Sequence, residues 1–249
     1  MGNHKKFWAF KAAANDKPAE LLLYGEISDY SWWGDEVTPK QFKKDLDALG
    51  DVDKINVFIN SPGGDVFAGQ AIHSMLKRHK AQIHVYVDGL AASAASVVAM
   101  AGDVIYMPRN AMMMIHNPWT WGVGYASDFR KIADELDKIR ETLVEAYKAK
   151  TGLEDTEIIA VMDAETWLTA EEAVEKGFAD EIEETKQVAA SIDGGFLVFG
   201  SVKMDLSRCK NAPKFVHLNT PELLKPAGAE PPDNLKEFER RLQLEEADL

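Results

Sequence analysis

Three short motifs contain residue types that an acyl-transfer enzyme uses. A glycine-rich turn lies at residues 61–64 (SPGG), Ser93 ends the run GLAAS, and His116 lies in the run MIHNP. Glycines free backbone N–H groups to face an oxyanion, a serine can act as the nucleophile, and a histidine can act as its general base. Together the motifs indicate acyl transfer through Ser93, provided that the fold brings them to one place.

Each motif also has a purely structural interpretation. A plain strand-to-helix turn uses the same letters as residues 61–64, a buried helix of small residues can carry a structural serine, and a histidine after an apolar strand is often a hydrogen-bonded core residue. Ser96 is a weaker candidate nucleophile than Ser93 because it lies one turn further from the predicted helix start. The lipase-type motif Gly-x-Ser-x-Gly is absent.

A histidine base needs an acidic partner that orients it. The candidates are Asp163 and Glu165 in the run MDAETWLT. A metal site does not compete with this interpretation, because the sequence has neither a His-x-x-x-His pair nor a cysteine cluster, and its carboxylates are scattered. We therefore expect neither a metal nor a cofactor.

Hydrophobic periodicity predicts the elements that would position these residues. Strands are expected at residues 20–27, 55–59, 83–87, 104–107 and 112–115, and helices at 38–50, 66–80 and 91–101. This alternation of strand and helix is typical of an α/β fold with right-handed crossovers. Ser93 would then lie in the first turn of a helix, where the positive end of the helix dipole favours a developing negative charge.

Two capping boxes mark predicted helix starts. Thr38 and Gln41, with Pro39 between them, indicate one box, and Thr169 with Glu172 indicates the other. Each of these helices is expected to end at a glycine.

The longest predicted helix spans residues 126–150. Apolar residues recur along it three or four positions apart, at Phe129, Ile132, Leu136, Ile139, Leu143 and Ala146. Such a seam is close to a coiled-coil repeat and needs a partner surface. Two arrangements stay open: the helix extends from its domain and pairs with another subunit, or it packs on its own domain.

Composition and charge exclude several classes of protein. A net charge of −13 argues against a sequence-independent nucleic-acid binder, which needs basic surface. The sequence contains no run of eighteen apolar residues, and its first residues lack the apolar core of a signal peptide. A single cysteine, Cys209, excludes an internal disulfide and fits a reducing compartment. We expect a cytoplasmic protein with neither a membrane nor a nucleic-acid partner.

Three parts are predicted along the chain. Residues 1–19 form a lead-in that is either flexible or edge-pairing, and residues 20–186 form the main domain. Residues 187–249 form a partly flexible C-terminal extension with one apolar run (GGFLVFG), a proline-rich linker and a short charged helix at 235–249. This extension could bind a partner, be removed by the protein itself, or be a solvated linker. An aromatic loop at residues 30–35 is a binding groove, a plug over the core or a subunit contact.

The motifs and their order resemble the proteolytic subunit of Clp protease (ClpP), and still more the ClpP-related head maturation (prohead) proteases of phages. The resemblance is carried by INSPGG at 59–64, GLAAS at 89–93, MIHNP at 114–118 and WLTAEEAVEKGFAD at 167–180. It covers residues from about 20 to 184 and leaves the C-terminal extension unmatched.

This resemblance implies roles for individual residues. Ser93 corresponds to the nucleophile and His116 to the general base, while the backbone N–H groups of Gly64 and Ala94 correspond to the oxyanion hole. ClpP has an aspartate at the position of Glu165, and a longer glutamate can orient a histidine in the same way.

Asp163 stays the fallback for the acid if the loop is shifted by two residues. The same resemblance implies a ClpP/crotonase-type spiral of βαβ units with a long protruding helix, assembled into a homo-oligomeric ring or stacked rings.

The implied function is a serine endopeptidase that cleaves scaffold or capsid proteins during phage head maturation, in the host cytoplasm or inside the assembling head. An unfoldase ATPase partner stays open, because the N-terminal residues lack an obvious ClpP-like axial segment. Two alternatives stay open as well. A crotonase-like acyl-CoA enzyme would use paired N–H groups without needing the Ser93–His116 pair, and a non-catalytic assembly protein would use the C-terminal extension for docking.

Overall fold

A mostly parallel β-sheet forms the centre of the fold and carries the residues singled out above. The computed structural model describes residues 6–13, 18–28, 38–184, 190–193, 195–199 and 202–212. These residues belong to one compact unit with the limits Met1 and Lys214. The predicted aromatic loop at 30–35 and the predicted helix at 235–249 lie outside the described residues, and the predicted division at residue 186 stays a prediction.

The main sheet contains β1 (Trp8–Lys11), β2 (Ala19–Tyr24), β3 (Lys54–Ser61), β4 (Gln82–Ala92), β5 (Val104–Pro108), β6 (Met112–Ile115), β7 (Thr166–Leu168) and β8 (Glu181–Glu183). Its order is β1-β2-β3-β4-β5-β8, and β6 pairs with both β4 and β7. Antiparallel pairing joins β1 to β2 and β6 to β7, while the other pairs are parallel. The mixed α/β architecture predicted from the sequence is confirmed.

The helices within the described residues are α1 (Pro39–Asp47), α2 (Val66–Lys77), α3 (Ala94–Ala99), α4 (Ala126–Thr151), α5 (Asp155–Asp163) and α6 (Ala170–Glu175). Of these helices, none is both long enough and apolar enough to pass through a lipid bilayer. A second, antiparallel sheet contains β9 (Ala190–Asp193), β10 (Phe196–Phe199) and β11 (Val202–Asp205), followed by a 3₁₀ turn (Leu206–Arg208).

The central strands β3 and β4 form the middle of the core. Ile55, Val57 and Ile59 of β3 are fully buried and lie in parallel register with three apolar residues of β4. Branched aliphatic side chains fit a pleated sheet that helices cover, which explains why the apolar runs of the sequence become strands.

Strand β4 is longer and helix α3 shorter than the sequence predicts. Residues 91 and 92 belong to β4, since Leu90, Ala91 and Ala92 pair with the three methionines of β6. The predicted helix at 91–101 is therefore wrong in its first turn. Alanine favours a helix in isolation, but here the small side chains let β4 and β6 form a buried ladder, and this tertiary pairing decides the conformation.

The two predicted capping boxes differ in their outcome. The box of Thr169 and Glu172 is confirmed, because each side chain accepts a hydrogen bond from the other residue's backbone N–H. Thr38 caps α1 by accepting from the N–H of Gln41, but the Gln41 side chain donates to Asp45 instead of returning to Thr38. The predicted hydrogen bond from the Thr38 N–H to the Gln41 side chain is therefore wrong.

Helix α4 divides into a packed part and an exposed part. Leu143, Val144 and Tyr147 near its C-terminal end are buried in the core. Phe129 near its N-terminal end is 49% exposed, and the preceding residues Trp121 and Tyr125 are more than four-fifths exposed. The C-terminal part of the helix thus packs on its own domain, and pairing of its exposed part with another subunit stays a prediction.

The second sheet packs on the ends of β3 and β4. The side-chain N–H of Asn60 donates to the carbonyl oxygen of Phe199 at 3.0 Å. A Cβ atom placed on Gly89 would lie 3.1 Å from the Phe199 ring, a tight contact, so glycine leaves room for this close approach. The sequence indicated only one apolar run here, and the three-stranded arrangement was not predicted.

Candidate active site

Parallel pairing of β4 with β6 brings Ser93 and His116 together. Ala92, the last residue of β4, lies opposite Met114, and the chain reaches Ser93 and His116 directly beyond these strands. The Ser93 N–H donates to the Met114 carbonyl oxygen at 2.8 Å. Nε2 of His116 lies 2.7 Å from Oγ of Ser93, which is the geometry of a nucleophile and its base.

The backbone of Ser93 has a conformation that is uncommon for residues with a side chain. Its φ of 54° and ψ of −126° place it on a sharp turn between β4 and α3, so it precedes the helix and is not in the first helical turn as predicted. Ser96 stabilises this turn, because both its N–H and its hydroxyl donate to the Ser93 carbonyl oxygen. Strained backbone of this kind is often found where a side chain must be presented for chemistry.

The glycine-rich turn packs directly against Ser93. A Cβ atom placed on Gly63 would lie 2.6 Å from the Ala92 carbonyl oxygen and 2.7 Å from Cβ of Ser93, and one placed on Gly64 would overlap Ile27. Both glycines also have positive φ values, 90° and 143°. Only glycine can therefore occupy this turn, because a side chain would push it away from the serine.

Two of the backbone N–H groups in the segments that flank Ser93 have no acceptor within the described part of the chain. They belong to Gly64, in the glycine-rich turn, and to Ala94, the first residue of α3. Unpaired donors next to a serine hydroxyl are the requirement for an oxyanion hole.

His116 is half-buried at the end of β6. Burial lowers its pKa below the ordinary value of 6.5, and of the two smaller effects the negative charge of Glu165 raises the pKa while the positive charge of Lys210 lowers it. A depressed pKa keeps the imidazole neutral at pH 7, which is the form that accepts a proton from a hydroxyl.

Glu165 lies close to His116 through the pairing of β6 with β7. Ile115 lies opposite Thr166 in this antiparallel ladder, so His116 and Glu165 are the next residues on the two strands. Glu165 has a φ of 47° and is 6% exposed. Its carboxylate accepts backbone N–H groups from Lys210 at 2.8 Å and Asn211 at 2.9 Å.

Asp163 points to a different set of partners. Its carboxylate accepts from the side-chain amide of Asn117 at 2.7 Å and lies 3.7 Å from the Arg140 guanidinium. Within the described residues neither Asp163 nor Glu165 forms a hydrogen bond with His116. Of the two, Glu165 is the one whose charge affects the pKa of His116.

Residues 36–186 match the sequence model of the Clp protease family, which is more than half of the chain. The chain belongs to the Clp protease family. It is therefore a ClpP-like serine peptidase, and its mixed α/β sheet agrees with that fold.

Proteins of the Clp protease family cleave peptide substrates as oligomeric rings. The match begins before α1 and ends after β8, so it includes the elements that carry the serine, the histidine and both candidate acids. Among the described residues no group of histidine, cysteine, aspartate and glutamate side chains is arranged to hold a metal ion.

Sequence reasoning missed two contacts of the site. Tyr147 of α4 is fully buried, and its hydroxyl lies 2.8 Å from Oγ of Ser96, which links the long helix to the turn at Ser93. Tyr147 follows Ala146, the last residue of the predicted apolar seam, and this position could have indicated that its hydroxyl is buried. The contact of residues 210 and 211 with Glu165 has no comparable signal, because it is made by backbone groups.

Proposed function

We propose that this Clp protease family member is a serine endopeptidase with Ser93 as nucleophile and His116 as general base. The single observation that supports it most is the 2.7 Å separation between Oγ of Ser93 and Nε2 of His116 on a strained strand-to-helix turn. A buried structural serine would not need this backbone conformation or a histidine at this distance.

The proposed mechanism is acyl transfer in two steps. Ser93 attacks the carbonyl carbon of a peptide bond while His116 takes the hydroxyl proton. The N–H groups of Gly64 and Ala94 donate to the oxygen of the tetrahedral intermediate. His116 then returns the proton to the leaving amine, and a water molecule, activated by the same histidine, releases the acyl group from Ser93.

Glu165 is the proposed orienting acid and Asp163 the fallback. Three observations support Glu165. It lies opposite His116 at the end of the β6–β7 ladder, it is buried, and its charge raises the pKa of His116. Asp163 has a more exposed carboxylate that pairs with Arg140. An acid paired with an arginine is less available to orient an imidazole.

We also propose that α4 contributes to the ring assembly. The residues Trp121, Val123, Tyr125 and Phe129, here called the apolar edge, are all exposed. Exposed apolar side chains this close together typically mark a protein–protein interface. A second copy of this chain fits that role, because proteins of the family form oligomeric rings. The need for an unfoldase ATPase stays open.

The proposed substrates are scaffold or capsid proteins of an assembling phage head. This part of the proposal rests on the sequence resemblance to phage head maturation proteases, carried by the motifs around Gly64, Ser93, His116 and Trp167. It places the enzyme in the host cytoplasm or inside the assembling head.

A serine-reactive fluorophosphonate tests the chemistry directly. We expect covalent labelling at Ser93 in the wild type, and loss of labelling in both Ser93→Ala and His116→Ala, whose rates should fall by several orders of magnitude. Ser74→Ala on α2 serves as the control for removal of a serine hydroxyl, because Ser74 lies outside the turn at Ser93. Active protein that carries no label at Ser93 would contradict the proposal.

Co-expression with a candidate scaffold or capsid protein tests the substrate. We expect cleavage by the wild type and an intact substrate with Ser93→Ala, resolved by mass spectrometry. Cleavage that continues with Ser93→Ala would remove the proposed mechanism, and an enzyme that is labelled but leaves these proteins intact would remove the substrate assignment alone.

A further inference from the structure

The carboxylate of Glu165 is held by a segment that lies outside the family match. The match ends at residue 186, whereas the donors to Glu165 are the backbone N–H groups of Lys210 and Asn211. Each donor binds a different carboxylate oxygen, so the group is fixed in both position and plane. A third donor, the ring N–H of Trp167, lies further away at 3.5 Å.

The segment at residues 206–212, here called the anchoring segment, is hydrogen-bonded to the second sheet at its start. Its first residue, Leu206, donates to the Gly195 carbonyl oxygen, and the Asp205 side chain caps the 3₁₀ turn by accepting from Ser207. Preceding it, β11 pairs with β10, and Phe199 at the end of β10 is fixed to Asn60.

The other end of the anchoring segment is fixed beside Glu165 itself. The side-chain amide of Asn211 donates to the carbonyl oxygen of Ala164 at 2.5 Å. The two carboxylate donors thus sit between two attachment points, one on the second sheet and one on the residue before the acid. Such support is what a precisely placed catalytic group requires.

A buried carboxylate without donors would be costly, so some partner for Glu165 is required by stability alone. Stability alone does not explain why this partner lies beside His116. Glu165 lies opposite His116, one position beyond the paired residues of β6 and β7. The charges of Glu165 and Lys210 both affect the pKa of the imidazole. The donors that hold the acid therefore also fix its charge relative to the base.

We propose that the backbone N–H groups of Lys210 and Asn211 are part of the active centre and position the Glu165 carboxylate for its action on His116. This inference rests on the proposed function, since it presumes that His116 is the base for Ser93. Lys210 and Asn211 are positioning residues that act through Glu165.

The test removes one donor and leaves the rest of the chain intact. Asn211→Pro in the full-length protein lacks the backbone N–H, while its matched control Asn211→Ala keeps that N–H and loses the same side-chain bond to Ala164. We expect Asn211→Pro to be labelled by the fluorophosphonate on the order of ten-fold more slowly than Asn211→Ala. The pH of half-maximal labelling should also move lower, because the Glu165 charge is no longer held near His116.

A double-mutant cycle separates positioning from a structural role. In the Glu165→Gln background, Asn211→Pro should cause no further loss relative to Asn211→Ala, since the charge to be positioned is already gone. Cys209 does not disturb the pH profile, because burial chiefly, and then Glu165, raises its thiol pKa to about 11. Thermal unfolding of each variant verifies that the labelled protein is folded.

Three results would overturn the inference. Equal labelling of Asn211→Pro and Asn211→Ala would show that the donor does not position the acid, and an equal loss in the Glu165→Gln background would show a purely structural effect. Faster labelling of Asn211→Pro would show that the anchoring segment competes with His116 for the carboxylate. Failure of the proposed function is distinct, because the wild type itself would then carry no label at Ser93.

Discussion

Burial is the main cause of the shifted pKa of His116, and two nearby charges affect this pKa in opposite directions. Burial lowers its pKa, Glu165 raises it and Lys210 lowers it. Ser93 and His116 could be named from the sequence because their residue types carry the chemistry. The acid could not be decided, since two carboxylates two residues apart differ only in a local turn at Glu165 with a φ of 47°.

The pH dependence of labelling follows from these effects. Protonated imidazole cannot accept the Ser93 proton, so the labelling rate should fall as the pH decreases through the pKa of His116, with its half-maximum below pH 6.5. Glu165→Gln should move the half-maximum lower and Lys210→Ala should move it higher. Rates of fluorophosphonate labelling over a pH series measure both shifts, and movement of the two variants in the same direction would contradict this account.

At the scale of elements, the site depends on where β4 ends and α3 begins. Composition predicts a helix from residue 91, but pairing of β4 with β6 extends the strand to Ala92 and places the sharp turn at Ser93. Periodicity is a local signal, and this boundary is set by a contact with a strand twenty residues later. The three-residue strand β7 was missed for the same reason, although it positions Glu165.

The turn between β3 and α2 gives a test at this scale. Gly63→Ala should cost about 2–4 kcal/mol of unfolding free energy, because it combines a positive φ with overpacking against Ala92 and Ser93. Gly50→Ala is the matched control, since Gly50 also has a positive φ but no atom within 4 Å of the added Cβ, and it should cost only about 1 kcal/mol.

Denaturant unfolding measures the two stabilities, and fluorophosphonate labelling measures the effect on Ser93. Gly63→Ala should also slow labelling, whereas Gly50→Ala should leave it unchanged. Equal costs for the two substitutions would show that the turn does not pack on the serine as described.

At the scale of the whole molecule, helix α4 could be predicted from the sequence, whereas the position of the second sheet could not. The long helix could be predicted because its apolar residues recur over many turns. The position of β9–β11 could not, since nothing in a short apolar run indicates that its Phe199 will pack on Gly89 and Asn60, which lie 110 and 139 residues earlier.

The oligomeric state of the protein gives a prediction at the scale of the whole molecule. Phe129→Glu should shift the proposed ring assembly towards smaller species, because burial of a phenylalanine side chain contributes about 1.5–3 kcal/mol at an interface. Lys138→Glu is the control, as it adds the same carboxylate at an exposed position of α4 outside the apolar edge. Sedimentation velocity at equal concentration compares the two variants, and an identical distribution for both would exclude the apolar edge as the subunit contact.

The anchoring segment has an evolutionary consequence. Its hold on Glu165 is made by main-chain N–H groups, and any residue except proline supplies one. The hold itself therefore requires only that residues 210 and 211 are not proline, while the Asn211 side-chain bond to Ala164 and the effect of the Lys210 charge on the His116 pKa depend on side-chain identity. Conservation in a comparison of related sequences would report those side-chain effects and not the hold on Glu165. A boundary drawn from sequence matching at residue 186 would retain each proposed catalytic side chain and yet discard the backbone groups that hold Glu165 in place.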